Sequence, residues 1–87
     1  MDKEWLTRFS EKLDQHYAWP SLYMFKFIVP TGKEEAVKKL FPTHTTTEKV
    51  SREGKYTSIT VQMMMPSSEA VISIYRQASV IEGLIAL

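Results

Sequence analysis

The order of elements written in this chain is β-α-β-β-α-β behind one further helix, which predicts an α+β domain of the split βαβ kind. Three observations carry the prediction. Tyr56 to Met65 alternates cleanly and reads as a half-buried strand. A polar stretch ending in Ser51-Arg-Glu-Gly54 precedes it as one arm and turn of a hairpin. Pro66-Ser67-Ser68 then caps a helix, and a short apolar run follows it.

The elements can be justified in order. Residues 2–16 place Trp5, Leu6, Phe9 and Leu13 on one face of a 3.6-residue period, with Lys3, Glu4, Arg8, Glu11 and Lys12 opposite. Trp19-Pro20 stops a helix, because the residue before proline is pushed out of the α region. Ser21 to Val29 then reads as a central strand with apolar residues on both faces, its aromatic side (Tyr23, Phe25, Phe27) toward the main core. Thr31 and Glu34 have the spacing of a capping box for a helix over Lys33–Phe41, with Ala36, Val37, Leu40 and Phe41 as its buried stripe and Pro42 as its stop. Thr43 to Lys49 is threonine-rich and polar, as an edge strand is. On the next strand Thr57, Ile59, Val61, Met63 and Met65 face the core, and Tyr56, Ser58, Thr60, Gln62 and Met64 face away. The second main helix has the stripe Val71, Ile74, Tyr75 and Ala78, and residues 80–87 form the last strand.

The two most apolar long strands belong at the centre. With right-handed crossovers this gives an antiparallel sheet in the order 4-1-3-2, with two helices on one face. The other face then shows Leu22, Met24, Lys26 and Ile28, a set too apolar to stay wet. Either the N-terminal helix covers them through Trp5 and Phe9, giving a monomer, or it packs elsewhere and a homodimer is expected. Residues 1–18 are expected as a helix and linker, and 19–87 as the domain proper.

Composition narrows the function. The chain has 87 residues, a net charge of +1 and no cysteine. One domain of this size buries only about 60% of its unfolded surface. A balanced charge draws it neither to nucleic acid nor to anionic lipid. The lack of cysteine removes disulfides and thiolate chemistry and fits a reducing, cytoplasmic setting. The start Met-Asp-Lys-Glu is not that of a signal peptide, and no apolar run is long enough to span a membrane.

Catalytic, metal-binding and cofactor-binding residues are expected to be none. The two histidines, His16 and His44, fall at a helix end and on the polar strand, with no oriented nucleophile or ligand cluster beside them. Gly32-Lys33 lacks the rest of a phosphate loop, but the amides of a helix start attract anions. Thr31, Gly32 and Lys33 are therefore candidate ligands for a small carboxylate metabolite. The hairpin offers a second set, Arg52, Gly54, Tyr56 and Ser58. RNA-recognition modules share this topology, but the first strand's aromatics face the core here and no Gly-Phe-x-Phe pattern exists, so no nucleic-acid partner is expected. Of the Met63-Met64-Met65 run, Met64 alone should reach the open face.

Two stretches together resemble a known family: Ser51-x-x-Gly54-x-Tyr56-x-Ser58-x-Thr60, and the Trp19-Pro-Ser-Leu-Tyr-Met-Phe-Lys-Phe-Ile-Val opening strand. The resemblance, over roughly residues 19 to 87, is to the YbeD-like family of small uncharacterised bacterial proteins. It implies a ferredoxin-like fold similar to the ACT regulatory domains, which sense small molecules in metabolic enzymes. Members are labelled lipoic-acid-binding regulatory proteins, with no established activity. This sequence departs at Val29-Pro30-Thr31-Gly32, where its glycine comes later than in many members. The functional expectation is a non-catalytic, ACT-like regulatory module, or alternatively a protein-interaction module working through its sheet.

Overall fold

In a computed structural model, which describes residues 3–87, the chain forms three helices and one antiparallel four-stranded open sheet. The elements are α1 (Lys3–His16), β1 (Ser21–Pro30), α2 (Glu34–Lys38), β2 (Thr47–Val50), β3 (Tyr56–Met65), α3 (Ser68–Ala78) and β4 (Ile85–Ala86). The strand order is β2-β3-β1-β4, the expected order read from the opposite edge. β1 and β3 pair along their whole lengths, from Ser21 opposite Met65 to Pro30 opposite Tyr56.

That register sorts the side chains. Tyr23, Phe25, Phe27 and Val29 on β1 meet Thr57, Ile59, Val61 and Met65 on β3 in one buried layer. α2 closes it with Val37 and Phe41, and α3 with Val71, Ile72, Tyr75 and Ala78. Ser67 caps α3 as expected, its hydroxyl accepting from the Ala70 amide at 3.2 Å. The Tyr23 and Tyr75 hydroxyls meet at 2.8 Å inside this layer, so the buried polar ends satisfy each other.

The N-terminal helix does not cover the open face. It packs on the helical side, where Leu13 enters the core and the Phe9 ring lies 5.6 Å from that of Tyr75. Ser10 Oγ meets Ser68 Oγ at 3.1 Å. α1 packs on α3 and against the aromatic layer, where Phe9 meets Tyr75 and Tyr17, just past the helix, meets Tyr23.

Five local expectations are corrected. The capping box does not form: the Thr31 amide, which Glu34 would have taken, donates to the Lys55 carbonyl at 2.9 Å. Lys33 becomes the N-cap, with no side-chain cap bond. α2 stops at Lys38, because Leu40 and Phe41 donate to Val37 and Lys38 in tighter three-residue turns before Pro42. β2 starts only at Thr47, since a turn in which His44 donates to the Phe41 carbonyl uses up the preceding residues, and His44 lies on that turn rather than on the strand. β4 spans two residues instead of eight: Val80 to Leu84 turns back on itself, and Gly83 has φ +79°. Met63, expected in the core, is only half-buried at its edge.

Two consequences can be measured. Leu13→Ala should lower stability by about 2–5 kcal/mol in urea unfolding, as a core truncation does. Gly83→Ala should also destabilise, because the added Cβ would lie 2.7 Å from Pro30 Cγ at a backbone angle that side chains rarely adopt.

Candidate functional site

The alternation that fills the core leaves the other face of β1 and β3 uncovered. Leu22 is 53% exposed, Met24 51% and Met64 57%, and Leu22 lies directly across from Met64. Lys26 stands between Met24 and Ile28 on the same face, opposite Thr60. The β2–β3 register adds Lys49, opposite Ser58. The strand residues of this face thus present apolar side chains, hydroxyls and two ammonium groups, with no carboxylate.

At one end the face dips into a shallow hollow of about 220 Å³, lined by Ile28, Lys49, Val50, Arg52, Tyr56 and Ser58 among others. Three of the expected ligand residues, Arg52, Tyr56 and Ser58, are therefore brought together. Ile28 adds an apolar lining and Lys49 supplies a further cation. Sequence reasoning did not select Lys49, although the signal was present: once Ser51 and Tyr56 close the hairpin, counting back along both strands puts Lys49 against Ser58. Gly54 is not among the lining residues; it supplies the positive φ of +76° that the turn needs.

Thr31, Gly32 and Lys33 lie at the same end of the sheet but toward its helical side. Their backbone amides are engaged within the chain. The Gly32 amide donates to Glu34 Oε1 at 2.6 Å, and the Lys33 amide donates to the Pro30 carbonyl at 3.0 Å. The buried Thr57 hydroxyl donates to Glu34 Oε2 at 2.8 Å. Thr31 Oγ1 lies 3.3 Å from Thr57 Oγ1 and must be the donor there, because the single Thr57 proton is already committed. A metabolite carboxylate at these amides would have to displace the protein's own. Hydrogen bonds from the Glu34 amide, the Thr57 hydroxyl and the Gly32 amide hold the Glu34 carboxyl below its ordinary pKa.

Elsewhere, Lys38 bridges α2 to β2 through Glu48 at 3.0 Å, and that partner raises its pKa. Burial pushes the Tyr75 and Tyr23 phenols above their usual range, so both stay protonated as a neutral pair. Among the described residues no three His, Cys, Asp or Glu side chains cluster as a metal site would need. No helix of the described residues is long and apolar enough to cross a membrane.

The two stretches that carry the resemblance run through the β2–β3 hairpin into β3 and through β1, the two central strands of the sheet. The family described as a protein of unknown function, DUF493, matches residues 14–86, and the chain belongs to it. This is the YbeD-like family of small bacterial proteins, and the match begins inside α1. No curated protein and no solved structure matches the chain.

The Glu34 corner has a pH signature. Its carboxyl is depressed in the folded state, so its contribution to stability is present above the ordinary glutamate pKa and is lost as pH falls through the lower folded value. Thermal melts from pH 7 down to pH 3 should show Glu34→Gln less stable than the parent near neutrality, with the difference shrinking in acid. The tyrosine pair should behave as a unit. Tyr23→Phe or Tyr75→Phe alone should each cost about 1–3 kcal/mol by stranding a buried hydroxyl, and the double variant less than their sum.

Proposed function

We propose that the protein is a non-catalytic regulatory module that docks on a partner protein through the open face of its sheet. The exposed Leu22–Met24–Met64 patch, on two strands paired to each other along their whole lengths, carries this reading, because the helix that could have covered it is packed on the other side. The strand order and the split connections support a ferredoxin-like domain of the ACT-like kind. Methionine suits such a surface, since it adapts to a partner's shape. A second copy is one candidate occupant, but it would set a face that carries Lys26 and Lys49 and no strand carboxylate against an identical one. Like charges at 4 Å oppose each other by about 1 kcal/mol even in bulk water. A partner surface that sets carboxylates around an apolar centre fits better.

A second reading has its own observation. Lys49, Arg52, Tyr56 and Ser58 line the hollow together with the apolar Ile28, a set suited to a small carboxylate metabolite. A sensor of that kind is stabilised by its ligand as RT ln(1 + [L]/Kd), about 2.7 kcal/mol at a hundredfold excess over Kd.

Native mass spectrometry of the protein purified from its own host separates the two. Protein-sized extra mass, lost in Met24→Ser/Met64→Ser with an unchanged melting temperature, is the expected result. A small adduct lost in Arg52→Ala supports the sensor instead. A clean mass of the single chain at every concentration, from purification under low salt, would sink the docking reading.

A further inference from the structure

The sheet has a second unfilled feature, independent of its open face. β4 covers only part of β1: Ala86 pairs with Phe27 and Ile85 with Ile28, and the Leu87 amide donates to the Lys26 carbonyl at 2.9 Å. Among the described residues, nothing pairs with that side of β1 beyond Lys26. The Leu87–Lys26 bond shows which backbone groups point outward at this edge. Strand alternation then directs the N–H and C=O of Met24 and Leu22 the same way, while Tyr23 and Phe25 turn theirs toward β3. Among the described residues, Met24 and Leu22 have no backbone partner on that side. Proteins ordinarily cover or charge such an edge, because it templates another strand.

Beside the bare edge, on the helical side, lies an aromatic recess of about 220 Å³. Its walls are Trp5, Phe9, Tyr23, Tyr75, Ala86 and Leu87. The lining is aromatic and aliphatic, and its two tyrosine hydroxyls already bond each other, so the recess suits one bulky apolar side chain. A residue laid opposite Phe25 or Tyr23 on an added strand projects to their face, toward this recess. Its neighbours project to the open face, beside Leu22 and Met24.

We infer that the β1 edge from Ser21 to Phe25 and the adjoining aromatic recess form a strand-addition site for an extended peptide carrying a bulky apolar side chain. Main-chain hydrogen bonds to Leu22 and Met24 supply affinity and the recess supplies selectivity, as in other strand-adding modules. A second copy of the chain is a poor occupant. Pairing two copies with Leu22 opposite Met24 sets Pro20 of each against Lys26 of the other, whose carbonyl is already taken by Leu87. Pairing Leu22 with itself sets Pro20, which has no N–H, against Met24.

The test is selection of random octapeptides on the intact protein, followed by amide hydrogen exchange with the enriched peptides. The expected peptides alternate around a bulky apolar residue and protect the Leu22 and Met24 amides. N-methylation of the peptide backbone on its pairing side should weaken binding about tenfold, the loss of one hydrogen bond to a strand edge. Phe9→Ala should weaken it while leaving the protection pattern of β3 unchanged. Failure to enrich any peptide overturns the inference, as does binding that tolerates N-methylation. Peptides that perturb only Lys26, Met64 and the hollow would also overturn it, while supporting docking through the open face.

Discussion

The ten-residue pairing of β1 with β3 is the constraint on which the other elements rest. From Ser21–Met65 to Pro30–Tyr56 there is no bulge, so every side chain of both strands has its face decided together. A slip of one residue would flip one strand relative to the other, putting either Phe25 and Phe27 or Ile59 and Val61 into water and turning Lys26 or Gln62 toward the core. α2 and α3 pack on what this register supplies. β2 is added through the hairpin at its end, and β4 through its first strand. The same register that builds the core also makes the other face, so its exposed apolar side chains cannot be withdrawn by local adjustment.

Much of this was legible because it depends on periods. The alternation of Tyr56–Met65 and the aromatic side of β1 have one self-consistent solution, and the strand order follows from which strands are apolar on both faces. The Ser67 cap was legible because it is local. What failed to read depends on competition between distant groups. The stripe Trp5, Leu6, Phe9 and Leu13 says that α1 must bury a face but not against what, and the aromatic layer around Tyr23 and Tyr75 won it. Thr31 and Glu34 have capping-box spacing, yet the Thr31 amide was claimed by Lys55 across the hairpin. β4 was overextended because an apolar run shows no turn until the chain is seen to fold at Gly83.

The candidate site divides in the same way. Arg52, Tyr56 and Ser58 belong to one hairpin, so proximity in sequence became proximity in space. Thr31, Gly32 and Lys33 sit near them along the sheet but on its other side, with Glu34 standing where an incoming anion would. Lys49 and Ile28 join from strands whose register had to be counted before they could be placed. The edge of β1 was invisible for a related reason: it exists only because β4 is short.

The charge on the open face has a consequence at a distance. The chain's net charge is +1, and Lys26, Lys49 and Arg52 account for +3 around the sheet face and its hollow, leaving −2 for everything else. The positive charge of the open face is therefore concentrated from Lys26 toward the hairpin end, away from Leu22 and Met64. Torque from a charged neighbour acts within about a Debye length, roughly 8 Å at physiological salt. Over that distance the domain would be turned with the hairpin end of that face toward a negative surface, so that encounters are oriented before any side chains touch.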